Sequence, residues 1–171
     1  DHTLDGIAFM ESAETVHGSD RFPLKWDRQA IEWLRQEVTG IPVIAEGHTY
    51  PVLYGWGGRF SVFTGLPVVV GWEWHQRQQK AILPAEFVLS RVEDLRQIYL
   101  ADDPHESHRL LVKYGVELLI FGPLERSLFG TEALERFREA SPKFWKPVYS
   151  NGGVWIVQVE QAETGSSHSR R

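Results

Sequence analysis

Apolar positions recur along the chain at two spacings, one helical and one strand-like. Ala30, Ile31, Leu34 and Val38 fall three or four apart and share one helical face, which predicts a helix over about Asp27–Val38. Asp27 can cap its start, and Gly40 follows its end. Pro42-Val43-Ile44-Ala45 is a short continuous apolar run, the pattern of a buried strand. Leu66–Val70 and Val116–Phe121 repeat it, the latter ending at Gly122-Pro123. Helical spacing returns at Arg91–Leu100 (Val92, Leu95, Ile98, Tyr99), at His105–Tyr114 (Leu110, Leu111, Tyr114) and at Glu132–Glu139 (Leu134, Phe137). Trp145–Tyr149 and Val154–Val159 flank Asn151-Gly152, the strongest short-range hairpin signal. Between the first two strands lies a Gly-, Tyr- and Trp-rich loop, Gly47–Gly58, with a short turn at Arg59–Phe63. Residues 73–86 fit helix or loop equally.

This order predicts an α/β fold of three-layer, Rossmann-like type, with a mainly parallel sheet, right-handed crossovers and a C-terminal antiparallel hairpin. Residues 1–25 read as an irregular lead-in with turns at Thr3–Gly6 and Gly18–Asp20, residues 26–160 as one α/β domain, and 161–171 as a disordered tail. A length of 171 residues with 42% hydrophobic content suits one core. The formal charge of −5 argues against nucleic acid and against an anionic membrane surface as partners. No run of 18 apolar residues is present. Cysteine is absent, which excludes disulfides, thiolate nucleophiles and Cys-ligated zinc. The chain starts at Asp1 without Met or a signal peptide and reads as an excised fragment or a processed chain.

Ligands of open α/β sheets sit beyond the carboxyl ends of the strands. The first two predicted strands end at Glu46-Gly47-His48 and Gly71-Trp72-Glu73-Trp74-His75, each with a carboxylate beside an imidazole in an aromatic stretch. The third ends at Gly122-Pro123-Leu124-Glu125-Arg126. Aromatic faces and carboxylates suit a sugar or another polyol. Glu46 and Glu73 could pair for glycoside chemistry, but Glu46 reads at least as well as a helix cap or a partner of Arg59. His48, His75, Glu46 and Glu73 include no pair at helical ligand spacing, so no metal site is assigned. His105 and His108, with Asp102, Asp103 and Glu106, read as surface polar residues. Gly55-Trp56-Gly57-Gly58-Arg59 has neither phosphate-loop pattern and reads as a turn needing positive φ and close backbone approach. There is no Gly-x-Ser-x-Gly elbow, and the catalytic residues stay unassigned.

The segment Arg59-Phe60-Ser61-Val62-Phe63-Thr64-Gly65-Leu66-Pro67, followed by Gly71-Trp72 and His75, resembles the soluble part of the YYY family, polytopic membrane proteins of archaea and Chloroflexi-type bacteria. Thr3–Gly6, Ala30-Ile31-x-Trp33-Leu34, Ile98-Tyr99, Lys113–Val116 and Leu124–Arg126 fit flanking blocks, so the resemblance spans about residues 3–159. The helix–strand start is also similar to the soluble domain of oligosaccharyltransferase catalytic subunits. The chain departs from the pattern at Gln76, Gln79 and Lys80, where the family shows Glu, Trp and Arg. The resemblance implies an extracytoplasmic domain of a membrane glycosyltransferase of GT-C-like type. It would shape recognition of an acceptor glycan or a polyprenyl-phosphate sugar without completing an active site. Its transmembrane part would be its partner, and any divalent metal would belong to that part, leaving this domain without a cofactor.

The expected substrate-binding residues are Glu46, His48, Tyr54, Arg59, Thr64, Trp72 and His75. Two other readings stay open. A structural module would expose an apolar patch built from residues such as Trp26, Trp56, Trp74 or Trp145. A free-standing sugar- or nucleotide-processing enzyme would need convergent acids in a pocket.

Overall fold

The Gly18-Ser19 turn closes a hairpin of β1 (Glu14–His17) and β2 (Asp20–Pro23) in the computed structural model, which describes residues 5–52, 55–79 and 84–161. The lead-in is therefore more ordered than its sequence suggests. A 3₁₀ turn over Ala8–Glu11 precedes the hairpin, and Ile7 and Met10 are buried. Ser127 pins the hairpin to the body: its hydroxyl donates to Asp20 Oδ2 at 2.6 Å and lies 2.9 Å from His17 Nδ1. The expected tail, from residue 162 on, lies outside the described residues.

The helix α1 (Lys25–Glu37) buries its apolar stripe through Ala30, Ile31 and Leu34, as the spacing predicts. Asp27 does not cap it; the carboxylate sits in the first turn and is fully buried. Then follow β3 (Val43–Ala45), α2 (Arg59–Thr64), α3 (Glu73–Gln79), α4 (Ala85–Leu100) and α5 (Pro104–Lys113). Asp103 caps α5 by accepting the His105 N–H at 2.9 Å. The chain ends in β4 (Val116–Phe121), α6 (Pro123–Phe129), α7 (Thr131–Ala140), β5 (Trp145–Ser150) and β6 (Trp155–Val159).

The main sheet is mixed, not mainly parallel. Its order is β3-β4-β6-β5, and of the three ladders only β3·β4 is parallel. The pattern of Leu66–Val70 predicts a strand covered on both faces, but the run touches β3 through a single parallel bridge, Val68 to Ile44. Pro67 has no N–H to extend a ladder, and the run is held by two backbone bonds, from Ile44 N–H to the Pro67 carbonyl (2.8 Å) and from Val69 N–H to the Ile44 carbonyl (3.3 Å). The C-terminal hairpin forms as predicted and docks its second strand on β4, so the parallel part stops at one pair.

Residues alternate across this sheet into two apolar clusters. Ala45, Leu119, Phe121 and Val157 pack with Leu95, Ile98 and Tyr99 of α4, Leu111 of α5 and Phe137 of α7. Ile44, Leu118, Ile120 and Ile156 pack with Ile31 and Leu34 of α1 and Phe60 of α2. Among the described residues no helix is long and apolar enough to cross a membrane.

The hairpin tip shows how tightly the second cluster closes. Asn151 Oδ1 accepts the N–H groups of Gly153 and Val154 at 2.9 and 2.7 Å, and the Trp26 ring lies flat against Gly152 and Gly153. A Cβ on Gly153 would collide with Cδ1, Cγ and Cβ of Trp26. Gly153→Ala is expected to cost about 2 kcal/mol, as overpacking of a filled site does. A thermal unfolding midpoint within a degree of the parent would refute this close packing.

Candidate functional site

The carboxyl ends of β3 and β4 lead into residues whose charges are drawn inward. Glu46 directly follows β3, and Glu125 lies in the first turn of α6, just beyond β4. Both reach one guanidinium, that of Arg59 at the start of α2, and Asp27 of α1 completes the cluster. Arg59 Nε donates to Asp27 Oδ2 at 2.7 Å, while Nη1 and Nη2 donate to the two Glu125 oxygens at 3.0 and 2.8 Å. Such two-pronged pairing is the geometry that guanidinium favours over ammonium. Glu46 stands back, 3.7 Å from Nη1, and accepts instead the N–H groups of Phe60 (2.9 Å) and Ser61 (2.8 Å). Glu125 also accepts from Gly47 and Gly122 N–H, both at 2.7 Å, and Asp27 from the Trp56 indole at 2.9 Å. All four charged side chains are at most 1% exposed.

The cluster holds three carboxylates against one guanidinium, and this imbalance shapes its protonation. Burial pushes the Glu46 carboxyl up, to about 7, against the pull of Arg59 and of the two amides. Burial also works to raise Glu125, but there the Arg59 guanidinium and the Gly47 and Gly122 amides win and hold it below the usual carboxylate range. Arg59 is buried too, yet Asp27 and Glu125 hold its pKa well above the ordinary value. Glu46 is thus both the helix cap and the Arg59 partner that its sequence position allowed. Neither Glu46 nor Arg59 faces solvent.

The surface above the cluster is built by the loop after β3 and by the start of α3. The loop folds back so closely that a Cβ on Gly57 would lie 3.0 Å from both the Gly47 carbonyl and the Thr49 N–H, and Gly58 takes a φ of 81°. Its glycines therefore serve close approach and a left-handed turn. His48 braces the loop: Nδ1 accepts the Tyr50 N–H at 3.1 Å, and the ring also bonds the Gly71 carbonyl. Burial pushes the His48 imidazole below its usual range, although Glu73 and the Gly71 carbonyl pull it up.

His48, Tyr50, Val52, Trp72, Glu73 and Trp74 line one shallow depression. Tyr50, Val52, Trp72 and Trp74 are exposed there, and Trp72 meets the His75 ring edge-on, with centroids 5.5 Å apart. Glu73 is buried and accepts from Arg77 at 2.9 Å, whose guanidinium lies 5.5 Å from the Trp74 ring centre. Thr64 works within α2, donating to the Phe60 carbonyl at 2.6 Å and accepting the Leu66 N–H at 3.2 Å. Of the seven expected binding residues, His48 and Trp72 line this depression and His75 packs against Trp72 beside it, while Glu46, Arg59 and Thr64 are engaged in the fold; Tyr54 lies outside the described residues.

Asp27 and Glu125 enter the cluster from 32 and 66 positions away from Arg59, a convergence that no local spacing announces. Tyr50 and Trp74 were absent from the expected set, although both stand within two residues of its members. Of the four Trp residues expected in an apolar patch, Trp74 is exposed, Trp26 and Trp56 are half-buried, and Trp145 is fully buried. Among the described residues no group of three His, Asp or Glu side chains is placed to hold a metal ion.

Compared with known proteins, the chain matches no family model and no curated protein. Among solved structures it is similar to the C-terminal globular domain of oligosaccharyltransferase from Archaeoglobus fulgidus. The two share 12% sequence identity with a TM-score of 0.47, over 78% of this chain and 95% of that chain.

Proposed function

We propose that the chain is a recognition and scaffold domain of a larger membrane glycosyltransferase, held on the extracytoplasmic side, and not a complete active site. The observation that carries this reading is the division of labour at the strand ends. The carboxylates that could act on a glycosidic bond are engaged: Glu46 and Glu125 by Arg59 and backbone amides, Glu73 by Arg77. What faces solvent is aromatic, from Tyr50, Trp72 and Trp74, with the half-buried His75 ring packed against Trp72. Such groups stack on sugar rings or acceptor side chains and orient them. The Arg59–His75 motif, which resembles the membrane family, supports the same assignment. The cluster beneath would hold the surface rigid, because Glu46 and Arg59 tie β3, α1, α2 and α6 to one point.

Titrating the domain with glycans, acceptor peptides and a water-soluble polyprenyl-phosphate sugar analogue tests this directly. Saturable NMR shifts at Trp72, Trp74 and His75 are expected, with no turnover of any donor. Trp72→Ala is expected to weaken binding about ten-fold, as loss of an aromatic platform does, while leaving the unfolding midpoint within a few degrees. Turnover by the isolated domain, or silence of these three residues toward every ligand, would refute the proposal.

A further inference from the structure

A second concavity lies on the far side of the Tyr50 ridge, between α4 and the end of α6. Its volume is about 390 Å³, inside the range of about 300–1,000 Å³ found for small-molecule pockets. The floor is apolar, made by Leu89 and Val92 of α4 and by Leu128 and Phe129 of α6. Tyr50, Glu93 and Arg96 stand at its edge, and His48, whose imidazole burial holds below its usual range, also lines it. It lies beyond the carboxyl ends of β3 and β4, the single parallel pair of the sheet, where α/β folds place their ligands.

The floor is preformed. The Phe129 ring stacks on Tyr99, with centroids 4.4 Å apart and planes 7° apart. Tyr99 is fully buried, and its hydroxyl donates to the Ile120 carbonyl at 2.9 Å and lies 3.2 Å from the Ala45 carbonyl. The aromatic wall is thus tied to the ends of both parallel strands. Tyr50 is set from the other side by the His48 brace.

The rim has polar groups but no net charge. Arg96 Nη1 donates to Glu93 Oε1 at 3.3 Å, and Gln97 Nε2 donates to the same oxygen at 2.7 Å. Carboxylate and guanidinium cancel, yet together they offer an acceptor and several donors, and the Tyr50 hydroxyl offers one of each. A ligand with an apolar body finds an apolar floor here. A hydroxyl or amide head finds partners, while a charged head would meet one like charge for every opposite one. We propose that this cleft binds a small amphipathic molecule with an uncharged hydrogen-bonding head, of the alkyl alcohol, amide or glycoside class. The inference does not depend on the role of the Trp72–His75 surface.

An NMR titration of the whole 171-residue chain with hexyl glucoside, hexanoate, hexylammonium and free glucose tests it. Hexyl glucoside is expected to give saturable shifts at Leu89, Val92, Leu128 and Phe129, and to bind at least about five-fold tighter than either charged probe, since a charge taken from water without a net partner is penalised. Free glucose, lacking the apolar body, should leave these residues unmoved. Glu93→Ala removes the cancelling carboxylate, and hexanoate should then gain about ten-fold through the freed guanidinium. Val92→Trp fills the floor and should abolish the shifts in a protein whose spectrum is otherwise that of the parent. Should the large indole disturb the fold, the Glu93→Ala preference remains decisive. Equal binding of a charged probe by the parent chain, shifts confined to Trp72 and Trp74, or no saturable shift with any probe would overturn the proposal.

Discussion

Arg59→Met is expected to unfold the domain or to leave it barely stable, with a loss of about 3–5 kcal/mol, the cost of stripping the partner from a buried ion pair. The magnitude follows from what stays behind. Asp27, Glu46 and Glu125 would remain together with 0–1% of their side chains exposed and no cation in contact. Methionine fills most of the space of the arginine stem, so the loss is electrostatic and not a cavity effect. A domain of this size is stable by about 5–15 kcal/mol in total, so the change takes a large share of it. Arg59→Lys keeps the charge but cannot offer paired N–H groups to two carboxylates at once, and it should fall between parent and methionine variant. Neutralising the carboxylates as well, by combining Arg59→Met with Asp27→Asn and Glu125→Gln, should recover part of the loss. Chemical denaturation of the four proteins measures these differences. A drop in Arg59→Met no larger than that of an exposed pair, such as Arg96→Met, would show that the cluster does not hold the strand ends together.

The helices, β3, β4 and the C-terminal hairpin were legible because each carries its own period: helical in Ala30–Leu34, Leu95–Tyr99 and Leu110–Leu111, and continuous or hairpin-like in Val116–Phe121 and around Asn151. Their arrangement was less so. The Leu66–Val70 run has the composition of a central strand, and Val69 and Val70 are buried as one would be, but Pro67 and a single bridge keep it out of the ladder. Gly122-Pro123 read as a stop for β4 and is also a start, since Pro123 opens α6 at the one helical position that tolerates proline well. In the site, the link from Glu46 to Arg59 could be read from their closeness in sequence. The inward turn of Asp27 and Glu125 could not, because it depends on how α1 and α6 pack at the strand ends. The exposure of Tyr50 was equally illegible, and of the four Trp residues named for an exposed patch only Trp74 is exposed, since an aromatic residue carries the same letter on a core wall and on a surface.

A second large effect is a fall in stability as pH rises through neutrality, traceable to Glu46. In the folded chain its carboxyl titrates near 7, and its ordinary value is 4.5. The folded state therefore holds more protons than the unfolded one between those values, and stability is lost as pH rises across the window. A shift of this size corresponds to about 3 kcal/mol over the full titration. Other groups act in other directions. Glu125, held low by Arg59, contributes stability above its ordinary range that disappears only as pH falls further. His48, pushed down by burial, makes stability rise as pH climbs toward the ordinary imidazole value. A comparison with Glu46→Gln separates these terms, because it removes one titration and leaves the others. Relative to this variant the parent should lose about 3 kcal/mol between about pH 4.5 and 8, and the carboxyl carbon resonance of Glu46 should move near neutral pH. Two amides and a guanidinium 3.7 Å away favour the charged form, whereas burial and the Glu125 carboxylate oppose it. Parallel stability curves for the two proteins would mean that the amides and Arg59 win, and that the cluster carries its full negative charge at every pH where the domain is folded.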